Sequence, residues 1–455
     1  MELERQIMEN MADRFSILAA SGDTASLWES VRSVETEYVI LQNEKYDVDF
    51  HSHAMERLLQ IADSTGADML YSDCCVGNGE KHPLIDMQAG SLRDDFDFGP
   101  AVLFRRSSLL AALCGQRKEA DYRFAALYDL RLRMEKVFHV RECLYGYVET
   151  DLRKSGEKQF DYVKASNREI QKEMEAACTA HLRRVGAYLG PRPEAPDPDG
   201  VFPVTASVVI PVRNRVDTVG DAVRSALSQE CGFDFNVIVV DNHSTDGTAQ
   251  LLRALAESEP RLRVMEVPPE RKYAGIGGCW NIAVDSPECG LYAVQLDSDD
   301  IYSDSGTLAK IVGEFRRQRC AMLVGAYTIV DFDLNILPPG LIDHREWTDG
   351  NGHNNALRVN GLGAPRAFRT DILRQIHFPD VSYGEDYAVA LRLSGMYRVG
   401  RIFESLYFCR RWSGNSDAAL DIAAQNANNL YKDSLRTAEL LYRIRRNREG
   451  ELNEK

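Results

Sequence analysis

Leu291-Tyr292-Ala293-Val294-Gln295-Leu296-Asp297-Ser298-Asp299-Asp300 is the stretch that decides how the rest is read. An apolar run predicts a buried strand, and here it closes on three carboxylates within four positions. Carboxylates that close repel one another unless a cation or another positive partner sits among them. With no His or Cys beside them, these hard oxygen donors favour Mg²⁺ or Mn²⁺, ions that take carboxylates, water and phosphate oxygens. A solvated turn after a strand is the plainer reading of the tetrad alone, so the flanking sequence has to decide.

Upstream, Ser207-Val208-Val209-Ile210 predicts a short, fully buried strand, followed by a helix from Thr218 to about Ser228 with Val219, Val223, Ala226 and Leu227 on one face. A second buried strand, Asn236 to Val240, ends at Asp241, and the loop Asn242–Gly247 leads into a helix carrying Leu251, Leu252 and Leu255. Strands buried on both faces and separated by amphipathic helices predict a parallel α/β sheet. Ligands of such sheets sit beyond the carboxyl ends of the strands. Pro211–Asn214, Asp241–Asn242 and Asp297–Asp300 all fall on that rim.

The 455 residues, 44% hydrophobic and 27% charged, suit two or three globular domains. A net charge of −15 disfavours a nucleic-acid partner. No apolar stretch reaches membrane-span length and the start, Met1-Glu2-Leu3-Glu4, is no signal peptide; with ten cysteines lacking metal-ligand spacing, a cytoplasmic location is expected. Four prolines between Gly190 and Gly200 exclude helix and mark a boundary. The expected division is 1–150, a connector helix and linker over 151–200, an α/β domain over 201–415, and a helical tail over 416–455. The connector carries one apolar stripe, Ile170, Met174, Cys178, Leu182, Val185 and Tyr188. The tail's basic run, Arg443-Ile444-Arg445-Arg446, is read as a solvated helix end, with contact to an anionic membrane surface as the alternative.

Five segments in order then resemble a family 2 glycosyltransferase of the GT-A fold: Ser207–Asn214, Val239–Thr248, Gly275-Ile276-Gly277-Gly278-Cys279-Trp280-Asn281, Gln295–Asp300 and Gly384-Glu385-Asp386-Tyr387. The resemblance implies a GT-A domain that binds a nucleotide-sugar donor through Pro211, Arg213, Asp241, Asn281 and Asp297, with uracil the usual base at Asp241. It implies that Asp299 holds the Mg²⁺ or Mn²⁺ bridging the diphosphate. It also implies that Asp386, beside Glu385, is the base that deprotonates the acceptor hydroxyl. One base and no protein nucleophile mean a single displacement with inversion. A plainer account of Glu385-Asp386 is a pair of acids favouring a helix N-terminus.

The chain departs from the family pattern in three places. Asn242-His243 stand where Asp-Gly is common, and Trp280 replaces a basic residue before Asn281, which leaves Arg271 and Lys272 as candidates for positive charge near the phosphates. Phe408-Cys409-Arg410-Arg411-Trp412 keeps the Arg-Trp of the processive enzymes but has Phe where Gln belongs. Trp347, His353, Arg411 and Trp412 are candidates for holding a saccharide or lipid-linked saccharide acceptor, with His353 as an ordinary loop hydrogen-bonder and Trp412 as core the plainer readings.

The first region echoes the second. Tyr38–Lys45 aligns with Tyr292–Asp299, Gly99–Arg106 with Gly363–Thr370, and Glu142–Tyr145 with Glu404–Tyr407. Asn43 and Lys45 replace the aspartates, and Phe124-Ala125 fall where Asp386 does. Too little chain precedes Tyr38 for two nucleotide-binding strands. A truncated, catalytically silent GT-A-like half is expected, serving packing, homodimerisation or acceptor holding. Two other classes stay open: a sugar-1-phosphate nucleotidyltransferase, which would need a Gly-rich phosphate loop where Pro211–Asn214 stand, and a non-catalytic glycan-binding or scaffold subunit of a polysaccharide assembly.

Overall fold

The computed structural model describes residues 13–148, 167–345, 348, 350–412, 414–415 and 420–453. The chain forms two compact units. The first gathers Met1–Lys158, Ser166–Tyr188 and Ala419–Lys455, the second Gln159–Ala165 and Leu189–Ala418.

The second unit is built on strands β8 (Ala206–Val212), β9 (Phe235–Asp241), β10 (Leu262–Glu266), β11 (Tyr292–Gln295), β12 (Ile301–Tyr302), β13 (Met322–Val330), β14 (Ile336–Ile342), β15 (Arg366–Arg369) and β16 (Val399–Arg410). Their order is β10-β9-β8-β11-β15-β13-β16-β12, with β14 on β13. Strands β10, β9, β8 and β11 run parallel, and β15 inserts antiparallel between β11 and β13. This is the GT-A arrangement. One face buries Val208, Ile210, Val237, Val239 and Val294, the other Val209, Ile238, Val240 and Ala293, which is why these strands read as unbroken apolar runs.

The first unit holds β1 (Phe15–Ala19), β2 (Tyr38–Gln42), β3 (Val48–Phe50), β4 (Met69–Val76), β5 (Glu80–His82), β6 (Ala101–Arg105) and β7 (Val137–Tyr147). Their order, β1-β2-β6-β4-β7-β3 with β5 on β4, is the path β8-β11-β15-β13-β16-β12 with β14 on β13, taken in the same chain order and with the same parallel and antiparallel senses. Even the register pairs recur: Tyr38 with Arg105 and Tyr292 with Arg369, Met69 with Val137 and Met322 with Val399, Phe50 with Tyr145 and Tyr302 with Tyr407. The stretch before Tyr38 supplies one strand, β1, parallel to β2 as β8 is to β11. Counterparts of β9 and β10 are absent among the described residues.

The connector and tail do not stand as separate regions. The helix Arg168–Arg184 belongs to the first unit, with Cys178 and Leu182 buried, and so does Ile422–Asn453. The tail helix buries polar groups that no apolar periodicity reports. Asp433 accepts from Ser91 Oγ at 2.9 Å and pairs with Arg436 at 2.8 Å, while a Cβ on Gly90 would fall 2.1 Å from the Thr437 nitrogen. Arg443, read as part of a solvated end, is buried and donates to Glu439 at 2.7 Å. Among the described residues no helix is long and apolar enough to cross a membrane.

Candidate active site

The three parallel strand ends meet on one rim. Val212 pairs with Asp241 in register, and β11 runs beside β8 up to Gln295 and Val209. The loops after β8 and β9 are stitched together: Asn214 N–H donates to Ser244 Oγ at 2.9 Å, and Asn214 Oδ1 accepts from Thr245 N–H at 2.8 Å. Asn214 and His243 hold positive φ of 53° and 55°, tight turns that bring the loops together. Asp241 is buried and accepts from Ser244 N–H at 3.3 Å; Pro211 is half-buried and Arg213 exposed, its guanidinium 5.9 Å from the centre of the Tyr273 ring.

The departure at Asn242 has a local reason. Its amide donates to the Ala274 carbonyl at 2.6 Å and accepts from the Ala274 N–H at 3.0 Å, a pairing that an acceptor-only carboxylate could not make. Arg271 does not supply free positive charge to the rim. It pairs with Asp380 at 2.5 Å, and the other Asp380 oxygen accepts from Gly275 N–H at 2.7 Å.

The glycine-rich segment is a clasp. It opens the helix Ile276–Asp285 against residues 378–381 so closely that a Cβ on Gly277 would lie 2.0 Å from the Pro379 carbonyl, and one on Gly278 2.1 Å from Asp380 Oδ1. Asn281, expected among donor contacts, instead donates to the Phe378 carbonyl at 2.8 Å and accepts from the Phe378 N–H at 2.9 Å. Both amide atoms are thereby engaged. The segment they hold leads into the helix Glu385–Met396, whose first residues are the expected bases.

At the acidic tip, Asp297 stays exposed to solvent though protein crowds it, the situation of a cleft wall. Its N–H donates to Tyr407 Oη at 3.0 Å, and its carboxylate accepts from Gln295 Nε2 at 3.0 and 3.1 Å. Enclosure raises its pKa, opposed by the charge of Arg366 and the Gln295 bond and reinforced by Asp299. Asp299 Oδ2 accepts from Trp412 Nε1 at 3.1 Å and Asn415 Nδ2 at 3.2 Å, while Oδ1 has no hydrogen bond among the described residues. Asp300 is buried and accepts from Arg410 N–H at 2.7 Å; burial, then the charges of Asp297 and Asp299, push its carboxyl well above the usual range. Arg366 reaches across to Asp386 at 2.9 Å. Glu385 is buried, its Oε2 without a hydrogen bond among the described residues, and burial, then the Asp386 charge, push its carboxyl up to about 8.

These residues fit a divalent ion in one specific way. Among the described residues no three carboxylate, His or Cys side chains converge as a complete ligand cage. Asp299 nevertheless offers an oxygen with no hydrogen bond among the described residues, on a carboxylate held by two donors. Of the guanidiniums at the tip, Arg366 is turned to Asp386, and Arg410, which donates to the Asp299 backbone carbonyl, pairs with Asp221 at 3.0 Å. An ion that keeps few protein ligands and completes its shell with water and phosphate suits that donor set.

The acceptor candidates separate. Trp347 lies outside the described residues. His353 Nε2 stands 2.9 Å from the Leu189 carbonyl, a loop tether in keeping with the plainer reading. Arg411 N–H donates to the Val330 carbonyl at 2.8 Å, extending β16. Trp412 belongs to the acidic tip through its indole, with Phe332 edge-on at 5.7 Å. Arg366, Asn415, Gln295 and Tyr407 are site residues that sequence reasoning missed. Arg366 N–H donates to Gln295 Oε1 at 3.1 Å because antiparallel β15 sets it beside the end of β11, a neighbour 71 residues away in the chain.

Parts of the chain are similar to known proteins. The family described as Glycosyl transferase family 2 matches residues 207–376. Chondroitin synthase of Pasteurella multocida (strain Pm70) is 28% identical over 197 residues, 41% of this chain and 18% of that protein. Succinoglycan biosynthesis protein ExoU of Rhizobium meliloti (strain 1021) is 27% identical over 202 residues, 43% of this chain and 55% of that one. The chain thus spans less than two thirds of the length of these relatives. Among solved structures, S. aureus TarS 1-349 in complex with UDP-GlcNAc is similar at 21% identity and a TM-score of 0.40, over 52% of this chain and 72% of that one.

Proposed function

We propose that this chain, whose residues 207–376 form a glycosyl transferase family 2 domain, moves a sugar from a nucleoside diphosphate donor, UDP-linked, onto a hydroxyl of a saccharide acceptor in glycan biosynthesis, with inversion at the anomeric carbon. The observation that carries the reading is the meeting of the Asp299 tip with the Arg366-paired Asp386 at one sheet edge. Names among the relatives, chondroitin synthase and succinoglycan biosynthesis protein, support polysaccharide as the product class.

In this reading Pro211, Arg213 and Asp241 line the nucleotide end, with the buried Asp241 carboxylate accepting from the base. Asp299 would hold Mg²⁺ or Mn²⁺, its carboxylate oriented by Trp412 and Asn415, with Asp297 beside it on the donor side. When bound, the ion offsets the charge that builds on the departing diphosphate. Asp386 takes the proton of the attacking hydroxyl. The oxygen's electron pair forms the new C–O bond as the anomeric C–O bond to phosphate breaks on the opposite face. Arg366 holds Asp386 oriented until that transfer through their ion pair at 2.9 Å. Glu385, uncharged below about 8, keeps a second negative charge away from Asp386.

The test is nucleoside diphosphate release from a panel of UDP-, GDP- and dTDP-sugars with Mn²⁺. Asp299→Ala is expected to abolish release while circular dichroism stays unchanged. Full turnover of that variant in excess chelator rejects the metal role.

A further inference from the structure

A cleft of about 910 Å³ opens in the first unit, at the upper end of the sizes that enclose small ligands. Its lining includes Asn43, Lys45, Gly99, Pro100 and Phe124. The register shared by the two sheets sets the residues after β2 against those after β11, and those before β6 against those before β15. Asn43 and Lys45 therefore hold the stations of Asp297 and Asp299, and Gly99-Pro100 those of Gly363-Ala364. The cleft keeps the place of a transfer site and has lost its carboxylates.

We propose that this cleft is a second, non-transferring site that binds a glycan chain. Tyr46, Tyr147 and Phe98 are half-buried on its lining, Tyr46 meeting Tyr147 edge-on at 5.1 Å. Such rings receive the C–H faces of pyranose sugars. Asp94, Asp95 and Asp97 from one wall, and Gln425, Asn426 and Asn429 from the C-terminal helix, bring acceptors and amides that suit sugar hydroxyls. A nucleoside diphosphate suits it poorly. Its two buried arginines are engaged within the wall, Arg93 pairing with Asp95 at 3.0 Å and Arg131 donating to the backbone carbonyls of Ser91, at 2.9 Å, and Arg93. Counterparts of the strands that would carry the base-binding loops are absent among the described residues. A glycan site on the same chain as a transferase raises the effective concentration of its acceptor, which is the advantage of linked sites. The inference rests on the transferase reading only for the choice of a glycan as ligand.

The experiment uses full-length protein carrying Asp299→Ala, so that binding is read without transfer. The probes are tetrasaccharides of β-linked glucose, of β-linked N-acetylglucosamine, and of alternating glucuronate and N-acetylhexosamine, followed by ligand-observed NMR and calorimetry. At least one is expected to bind, to resist displacement by UDP with Mn²⁺, and to weaken about tenfold or more with Tyr46→Ala and with Asn429→Ala. On the otherwise unaltered chain, Tyr46→Ala is expected to leave nucleoside diphosphate release from the donor alone unchanged. Absence of binding by all probes, displacement by UDP, or unchanged affinity in both variants overturns the site. Loss of transfer in Asp299→Ala with retained glycan binding separates the two readings, and binding without any transferase activity in the unaltered chain would sink the proposed reaction while leaving the cleft.

Discussion

Arg366 Nη2 lies 2.9 Å from Asp386 Oδ2, and the same guanidinium is the main charge opposing the rise of the Asp297 pKa. One cation therefore serves the expected base and the expected donor-side acid together. It is turned to Asp386 and not to Asp299, whose Oδ1 has no hydrogen bond among the described residues. The guanidinium of Arg366 thus stands on the acceptor side of the acidic tip, and that of Arg410, which donates to the Asp299 backbone carbonyl, is paired with Asp221.

Asp386→Asn keeps the shape of the side chain and removes its ability to take a proton. Transfer is expected to fall by about 10² to 10⁴ while donor affinity, measured by calorimetry with UDP and Mn²⁺, stays within about twofold. A variant with normal turnover would assign the base elsewhere.

Glu385 titrates near 8 in the fold against an ordinary value of 4.5. Between those two values the folded chain binds the extra proton, so stability falls as pH rises through that window and levels off above it. Glu385→Gln removes the titration. Melting temperatures scanned from pH 5 to 9 should decline for the unaltered chain and run flatter for the variant.

Asn281→Ala tests the clasp. Loss of both bonds to Phe378 is expected to cost about 1–3 kcal/mol of stability, since it leaves buried backbone groups unpaired. Donor affinity at a temperature where the variant is folded should be unchanged. A loss of affinity without loss of stability would restore Asn281 to the donor site.

Trp412→Phe removes the indole N–H from Asp299 and keeps an aromatic ring against Phe332. Outer-shell donors of this kind tune metal affinity about 10- to 100-fold. The Mn²⁺ concentration for half-maximal turnover should rise accordingly, with the maximal rate less affected.

The linear sequence was enough to place the parallel strands, because strands buried on both faces must be apolar throughout and their polar ends stand out: Ile210 before Pro211, Val240 before Asp241, Leu296 before Asp297. It was enough also to suggest that Tyr38 and Tyr292 occupy like positions, since hydrophobic pattern survives where catalytic groups are exchanged. What it could not decide was who meets whom at the tip. Arg366 reaches Asp386 because antiparallel pairing lays β15 along β11, and Trp412 and Asn415 reach Asp299 because β16 ends beside it, relationships between positions far apart in the chain that no local periodicity encodes. The same holds for Asn281 and for the tail helix. An amide that clasps a backbone and one that binds a ligand look alike in sequence, and Arg443 looks solvated until packing encloses it with Glu439. Apolar burial leaves its mark on composition; the pairing of polar groups is decided only when the chain has folded and each must find a partner or remain in water.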